Sequence, residues 1–388
     1  MKDCSINIES DPLEIDAIIE FLAKAFGPDY FSSSNLKSRL FAAEPSLKPE
    51  NFVSARDLYR QIAGIVRIVE REMLIDGVPL KMGFITSVAI HPKYRCKGLA
   101  TELIQFATDL LTKRGFDFAC VHGRRAVDGF YPKFGFVHVG RYLDLEILAR
   151  IDPVTNITAV SMEPIYLPIL MQCYQKVYHP LSGSVYRSEG VWQFLLEKAS
   201  AIGATVHVLH MEHNTRAIGY IICMQDDLIE VAVDEKAIPG FWGLFKQLGL
   251  KRLRIHPRHP IFNYCRQHYS TVLNERFALD GGYMARVLNL NSILQKLSNR
   301  LVERMIGLAK GVQRISILGL NIDLISGNVV ESCERSNILF ENDSCVAQMI
   351  MGFKSPREIP HTQSGLPANF LENVFPDLGF HSASLDEV

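Results

Sequence analysis

The chain of 388 residues lacks several features that would place it in a specialised class. It has 41 lysine and arginine residues and 42 acidic residues, which give a formal net charge of −1. The chain therefore has no overall positive charge that would attract nucleic acid as a partner. No apolar run is long enough to span a bilayer, and the polar amino terminus lacks the basic start and apolar run of a signal peptide. We therefore expect a cytoplasmic protein without a membrane span.

Closely spaced cysteines are also missing. The eight cysteines are scattered without a CxxC pair or a histidine-rich spacing, and they are Cys4, Cys96, Cys120, Cys173, Cys223, Cys265, Cys333 and Cys345. Disulfide frameworks and zinc sites depend on such spacings. The sequence therefore predicts free thiols and no metal.

The length exceeds what one ordinary hydrophobic core holds, which indicates two or three domains. The first unit begins with an amphipathic helix at Glu14–Phe26, and two strand-like runs follow, joined by a hairpin turn at Asp76–Pro79. A final strand is predicted over residues 136–147. We expect this unit to occupy residues 1–150.

The most informative segment is Ser87–Gly115, where an apolar strand runs into a basic turn and then into an amphipathic helix. Pro92 ends the strand, and apolar residues recur at helical spacing after Gly98. The unpaired N–H groups and the dipole at the start of a helix favour an anion, and Gly98 lets the backbone approach it closely. The turn therefore predicts an anion site, to which Arg95 and Lys97 add positive charge.

A second informative segment, FDFACVHGRRAVDGFYPKFGF, covers residues 116–136. It predicts a buried strand at 116–121 and a short helix at 128–134 that ends at Gly135. Together with the spacing RxxGxA after VAIHP, its ending FY-x-x-FGF resembles the GNAT acetyltransferases. The turn by itself would fit an ordinary basic surface turn before a helix equally well.

The GNAT resemblance implies an N-acetyltransferase that uses acetyl-CoA as co-substrate, with the pantetheine arm in a gap between two splayed strands. The coenzyme contacts that it implies are Val88, Ala89, Ile90, Arg95, Cys96, Lys97, Gly98, Leu99, Ala100, Thr101, Ala126 and Val127. It also places Tyr131 at the position of the general acid and the N–H of Ile90 beside the thioester carbonyl. The other interpretation of Tyr131 is an aromatic residue at the edge of the core.

The remainder of the chain predicts two further units. Residues 151–285 resemble a second GNAT copy, with Tyr264 in a place comparable to that of Tyr131, but KAIPGFWGLFKQLG replaces the coenzyme turn. We expect this copy to bind no coenzyme. Residues 286–388 combine helices with short strands, which indicates a small α+β domain. The expected fold class is α+β, with tandem GNAT folds followed by a sterol-carrier-protein-like domain.

That order of units resembles the enhanced intracellular survival (Eis) acetyltransferase family across nearly the whole chain. The resemblance implies a homo-oligomer, for which a hexamer is one candidate, and a base supplied by the terminal carboxylate, here that of Val388. The ending SASLDEV, however, has the composition of a solvated tail. His122 is the alternative base, and its other interpretation is a surface imidazole.

The implied acceptor is a primary amine on a small polar molecule, such as a polyamine or an aminoglycoside, or a lysine side chain. The residues do not discriminate between these acceptors, because acceptor pockets are built from variable loops. The competing function is a non-catalytic acyl-CoA or lipid-binding protein that uses the GNAT and sterol-carrier-like folds. Loss of the coenzyme turn would favour that alternative, and the first unit retains the turn.

Overall fold

The computed structural model describes residues 4–26, 43–123, 129–140, 142–148, 155–212, 216–276, 282–306, 308, 314–317, 320–323, 326–331, 337–340, 344–381 and 386. Within these residues the chain forms three β-sheets flanked by helices, which confirms the expected mixed α+β class. No helix in the described ranges is long and apolar enough to cross a membrane.

The first sheet carries the predicted coenzyme strand. Its strands are β1 (Cys4–Ile8), β2 (Phe52–Asp57), β3 (Ile62–Ile75), β4 (Val78–Ile90), β5 (Phe118–Gly123), β6 (Val137–His138), β9 (Ser184–Val185) and β15 (Gly282–Val287). They follow the order β1-β2-β3-β4-β5-β15-β6, and β9 pairs with β3. The hairpin predicted around Asp76–Pro79 joins β3 to β4.

Two helices cover opposite faces of this sheet. On one face lies α2 (Leu99–Lys113), where a Cβ on Gly83 of β4 would stand 2.2 Å from the Leu111 side chain. Glycine at this position lets the helix and the strand approach closely. On the other face lies α1 (Glu14–Phe26), whose apolar residues pack against β3 and β4. The coenzyme strand is therefore held from both sides.

The second sheet repeats much of this plan. Its strands are β7 (Tyr142–Ile147), β8 (Ile157–Ser161), β10 (Thr205–Met211), β11 (Ala217–Met224), β12 (Asp227–Val233), β13 (Arg252–Leu253) and β14 (Thr271–Arg276), in the order β14-β7-β13-β12-β11-β10-β8. One face packs against α3 (Leu167–Tyr178) and α4 (Glu189–Ala201). The other face packs against α5 (Ile238–Gln247) and α6 (Pro260–His268).

The first two sheets exchange strands. β15 follows the second unit in sequence but inserts between β5 and β6, while β7 pairs with β13 and β14 in the second sheet. The prediction of one strand over 136–147 in the first unit is therefore wrong. The reason is a long-range pairing, since six residue pairs join β7 to β14. We retain 1–150, 151–285 and 286–388 as proposed units, although β7 and β9 pair in the sheet of the neighbouring unit and β15 spans the boundary at residue 285.

The third region forms its own small sheet against the first. Its strands are β16 (Arg314–Ile317), β17 (Leu320–Asp323), β18 (Val329–Glu331), β19 (Ile338–Phe340) and β20 (His361–Gln363), in the order β18-β17-β16-β19-β20. Its helices are α7 (Leu290–Met305), α8 (Ser344–Ile350) and α9 (Phe370–Val374). Leu294 and Leu297 of α7 share one apolar cluster with Phe84 and Phe118, so the two cores are continuous.

Candidate active site

A bulge interrupts the pairing of β3 and β4 at the start of the predicted coenzyme strand. The register shifts between Ile65 and Arg67 of β3, so that Ser87 and Val88 of β4 lie opposite the single residue Val66. Ser87 has a φ of 50°, in the left-handed region that residues other than glycine seldom occupy. A bulge bends the strand and leaves backbone groups outside the ladder. Val88, a predicted coenzyme contact, therefore lies within the bulge.

Beyond this point β4 and β5 separate. Their parallel ladder runs only from Met82 to Ile85 on β4, although β4 itself continues to Ile90. Residues 86–90 of β4 are therefore not paired with β5, as the predicted splay requires, and we refer to the place where the ladder ends as the gap. The predicted contacts Ala126 and Val127 lie outside the described residues.

The predicted coenzyme turn follows β4 and leads into α2. Arg95 Nε donates to the carbonyl oxygen of Ile90 at 3.1 Å, which folds the turn back onto the strand. Cys96 has a φ of 59°, and Gly98, the N-cap of α2, has a φ of 83°. Arg95, Cys96, Lys97 and Gly98 are all exposed. Because glycine offers no side-chain acceptor, the first N–H groups of α2 point to a surface with two cations, which is the geometry of an anion site.

Buried and bridging contacts hold this turn in place. Leu99 is buried at the start of α2, Ala100 is half-buried, and Thr101 is exposed. The hydroxyl of Tyr94 donates to Asp57 Oδ2 at 2.9 Å, and Lys97 Nζ lies 5.6 Å from the centre of the Tyr94 ring. Sequence reasoning missed this contact, since its partner lies 37 residues earlier on the β2–β3 hairpin. The only local signal was an aromatic residue within HPKYR.

Tyr131 lies in the apolar cluster beneath the gap. It begins a short 3₁₀ turn, Tyr131–Phe134, and shares its cluster with Ile85, where the ladder of β4 and β5 ends. Its ring packs edge-on against those of Phe130 and Phe136, with centroids 5.3 and 6.1 Å away. The turn thus holds a buried phenol in a fixed aromatic environment on the face of the sheet that α2 covers.

His122 lies elsewhere. It is exposed on β5 and pairs with Tyr283 of β15. Because successive side chains of a strand alternate between faces, His122 projects from the face opposite to Val121, which belongs to the cluster of Tyr131. The two candidate proton-transfer residues therefore stand on opposite faces of β5.

Within the carboxyl-terminal segment the structure describes Asp386, and this residue is held by the protein rather than solvated. Asp386 is buried and forms a salt bridge with the buried Arg187 at 2.8 Å. At Asp386 the interpretation of SASLDEV as a solvated tail is therefore wrong, because a cation 199 residues away in sequence neutralises the carboxylate of this residue. Val388 itself lies outside the described residues.

A buried ion pair joins Arg71 of β3 to Glu44. Arg71 donates to both carboxylate oxygens of Glu44 at 2.7 and 2.6 Å. Burial opposes ionisation, but the hydrogen bonds and charge of Arg71, with Arg67 nearby, outweigh it and hold the pKa of Glu44 below its usual value. Glu44 is therefore ionised at neutral pH and is not a proton donor. The sequence VRIVERE, with charged residues inside an otherwise apolar strand, could have indicated a buried ion pair, but the sequence analysis did not use it.

The corresponding gap of the second sheet is closed by the protein itself. β12 pairs with β13 over only two residues, and beyond them the N–H of Val231 donates to the Tyr178 hydroxyl oxygen at 3.2 Å. His259 Nδ1 accepts from the N–H of Ile261, so its Nε2 carries the proton and donates to the Val231 carbonyl oxygen at 2.8 Å. Both backbone groups of Val231 are thus occupied by internal side chains.

The turn after β12 also differs from that after β4. It forms a 3₁₀ segment, Glu235–Ala237, and Ala237, the N-cap of α5, has ordinary right-handed helical angles. Pro239 lies within the first turn of α5. This turn therefore has neither the left-handed glycine nor the pair of exposed cations found in the first unit.

Comparisons with known proteins agree with this geometry. Residues 9–139 match the sequence profile of the acetyltransferase (GNAT) domain. A GCN5-related N-acetyltransferase from Anabaena variabilis ATCC 29413 has a TM-score of 0.70 at 15% identity, over 96% of both chains. Eis1 from Mycobacterium abscessus has a TM-score of 0.64 at 12% identity, over 98% of both chains. A GCN5-related N-acetyltransferase from Kribbella flavida has a TM-score of 0.68 at 12% identity, over 98% of this chain and 97% of its own. A search of curated proteins finds no match to this sequence.

These findings have two consequences. The chain contains a GNAT acetyltransferase domain, and its whole length has the fold of tandem GNAT proteins such as Eis1. The protein is an acyltransferase, and its GNAT domain uses an acyl-CoA as co-substrate.

Proposed function

We propose that the protein is an N-acetyltransferase that transfers the acetyl group of acetyl-CoA to a primary amine. One observation carries the proposal. The bulged strand β4 loses its pairing with β5 and then leads directly into α2, whose N-cap is a glycine flanked by two exposed cations. An extended thioester arm can hydrogen-bond strand backbone in such a gap while its pyrophosphate meets the helix start. The names of the Anabaena and Kribbella structures support the same reaction.

The residues of the turn fit the pyrophosphate of this co-substrate. In the proposed complex the backbone N–H groups from Cys96 to Thr101, including those of Leu99 and Ala100, surround the phosphates, and Arg95 and Lys97 add charge. Gly98 fits because its φ of 83° strains other residues and because a Cβ would keep the backbone from the phosphate oxygens. Val88, Ala89 and Ile90 would contact the pantetheine arm from one side, and Ala126 and Val127 from the other.

The proposed reaction is a direct attack of the amine on the thioester. An alkylamine with a pKa near 10.4 is mostly protonated at pH 7, and its deprotonation costs about 4.6 kcal/mol, so a base is needed. The amine nitrogen bonds to the carbonyl carbon, whose oxygen is stabilised by the N–H of Ile90. The base has taken one proton from the ammonium before the attack. The carbon–sulfur bond then breaks, the Tyr131 hydroxyl protonates the leaving thiolate, and the second proton of the nitrogen returns to the Tyr131 phenolate.

Two groups are candidates for the base. The Val388 carboxylate is the one we propose, and the proposal is supported by the buried salt bridge that holds Asp386, two residues before it. His122 is the alternative, but its position on the face of β5 opposite to Val121 favours Val388.

The proposed acceptor is a small polar amine, such as a polyamine or an aminoglycoside, or a lysine side chain. The proposal also includes a homo-oligomer in the cytoplasm. A screen of these amines for thiol release from acetyl-CoA identifies the acceptor class directly. Thermal shifts distinguish the enzyme from a lipid carrier. We expect acetyl-CoA, and not a fatty acid, to raise the melting temperature, and the opposite pattern would contradict the proposal.

A further inference from the structure

One carboxylate organises the hairpin that joins β2 to β3. Asp57 is the last residue of β2, and its Oδ1 accepts from the backbone N–H groups of Tyr59 and Gln61, each at 2.9 Å. The main chain closes the same turn, since the N–H of Asp57 donates to the Gln61 carbonyl oxygen at 3.0 Å. An aspartate that bonds the backbone of its own turn in this way stabilises the turn. The Asp57 side chain therefore has a fixed orientation.

The second oxygen of this carboxylate reaches the coenzyme turn between β4 and α2. Asp57 Oδ2 accepts from the Tyr94 hydroxyl at 2.9 Å. Burial opposes ionisation, but the hydrogen bonds that Asp57 accepts outweigh it, with the charge of Lys93, and hold the pKa of Asp57 below its usual value. Asp57 is therefore a charged acceptor at neutral pH. Hydrogen bonds to ionised acceptors are stronger than those between neutral groups, so the hairpin holds Tyr94 firmly.

Tyr94 is held at its ring as well as at its hydroxyl. It ends the short 3₁₀ turn Pro92–Tyr94, is half-buried, and packs against the apolar cluster that lies between α2 and the first sheet. The His91 ring contacts it edge-on, with centroids 6.0 Å apart. The N–H of Tyr94 donates to the His91 carbonyl oxygen at 2.9 Å. The position of the ring is therefore set by the hairpin, the core and its own turn together.

The ring of Tyr94 lies beside Lys97. Lys97 Nζ is 5.6 Å from the ring centre, within the range where a cation is attracted to the face of a ring. Lys97 is exposed and directly precedes Gly98, the N-cap of α2. A lysine side chain is flexible, and ordering it on binding reduces affinity. The Tyr94 ring restricts Lys97 near the start of the helix before a ligand binds, which lessens that loss.

Arg95, the other exposed cation of the turn, is oriented by a different contact. Its Nε donates to the Ile90 carbonyl oxygen at 3.1 Å, so its orientation depends on β4. The contacts of the hairpin with Tyr94 therefore act on the turn through Lys97.

We propose that Asp57 is a positioning residue, which acts through Tyr94 to hold the Lys97 ammonium at the start of α2, where the pyrophosphate of acetyl-CoA binds. This inference rests on the proposed function, in which that turn is the phosphate site. The hairpin thus contributes to the affinity for the co-substrate from a position 37 residues earlier in the chain. Because the contact serves the phosphates and not the thioester, it should affect the binding of acetyl-CoA more than the chemical step.

Tyr94→Phe is the informative variant, because it removes the hydroxyl and keeps the ring, so the fold should persist. We expect the Kd of acetyl-CoA to rise about 3- to 10-fold, with little change in kcat at saturating acetyl-CoA. Calorimetry and steady-state thiol release measure the two quantities. Tyr59→Phe is the matched control, since it makes the same change on the same hairpin at a residue that is 85% exposed. It should retain the Kd of the unmodified protein.

A double-variant cycle separates positioning from a merely structural role. Lys97→Met removes the charge with little change in length and should by itself raise the Kd of acetyl-CoA. If the Tyr94 hydroxyl serves to hold this ammonium, adding Tyr94→Phe to Lys97→Met should weaken binding no further. Losses that multiply, or an unchanged Kd in Tyr94→Phe alone, would overturn the inference and leave the proposed function intact. An unmodified protein that does not bind acetyl-CoA would overturn both.

Discussion

At the scale of single residues, the proposed chemistry depends on where phenol and imidazole groups hold their protons. Tyr131 is enclosed by the rings of Phe130 and Phe136, which fix its orientation beneath the gap. Tyr264, its counterpart in the second unit, stacks on His268 with centroids 3.9 Å apart and packs beside Trp242. The same residue type thus lies in two different environments, and in the second unit both backbone groups of Val231 are occupied by Tyr178 and His259.

Replacing Tyr131 by phenylalanine tests its role as the general acid. The change removes the proton for the leaving thiolate and keeps the ring, so we expect kcat to fall about 10²-fold or more with little change in the Kd of acetyl-CoA. Steady-state thiol release and calorimetry measure the two quantities. Tyr264→Phe should leave both unchanged, and an equal loss in the two variants would indicate a general structural effect.

Buried histidines give the fold a dependence on pH. Burial lowers the pKa of His259 to about 4, although its hydrogen bond to Val231 acts in the opposite direction and raises the pKa. Burial and the neighbouring His381 also place the pKa of His256 well below its usual value. Since the unfolded imidazoles bind protons near pH 6.5 and the folded ones do not, stability decreases as pH falls below 6.5. For His259 the loss by pH 4 is about 3 kcal/mol.

His259→Asn should reduce this dependence. Asparagine keeps an N-cap acceptor for α6 but has no titrating ring, so we expect the variant to lose about 1–2 kcal/mol at pH 7 and to weaken less steeply toward pH 4. Urea unfolding at pH 7, 5.5 and 4.5 measures both effects. His268→Asn, at an exposed position of the same helix, is the control. A slope in His259→Asn as steep as that of the unmodified protein would contradict this assignment.

At the scale of elements, the central feature is a strand that leaves its neighbour just before a helix begins. Each part was predictable because each signal is local: the apolar run of β4, Pro92 after it, and the glycine and apolar spacing of α2. The bulge was not predicted. Its position depends on how β3 is registered against β4, and a single strand's sequence does not encode that register.

Gly98→Glu tests the start of α2 as the phosphate site. The substitution places a side chain and a negative charge at the N-cap, so we expect acetyl-CoA-dependent thiol release to be abolished. It also strains a φ of 83°, which costs about 1 kcal/mol of stability. Gly115→Glu is the matched control, because Gly115 has a φ of 71° with open space around its Cβ position at the other end of the same helix. Gly115→Glu should lose a similar amount of stability and retain acetyl-CoA-dependent thiol release.

At the scale of the whole molecule, the three regions are bound together by contacts that sequence reasoning could not supply. The exchange of β7 and β15, the buried pair of Arg187 with Asp386, and the core shared by α7 and the first sheet all join residues far apart in the chain. The polar composition of SASLDEV favoured an exposed Asp386, which is wrong. The burial of this carboxylate depends on Arg187, and the local sequence does not reveal that partner. The altered turn of the second unit was predictable from its sequence, whereas the hydrogen bonds of Tyr178 and His259 to Val231 were not.

The number of acetyl-CoA molecules bound per chain tests the central claim most directly, since it asks whether the first unit alone carries a working site. Calorimetric titration should give one site in the unmodified protein and none in Gly98→Glu, with Gly115→Glu retaining one. Two sites in the unmodified protein would show that the second gap is open, and a site that persists in Gly98→Glu would show that acetyl-CoA binds somewhere other than the turn between β4 and α2.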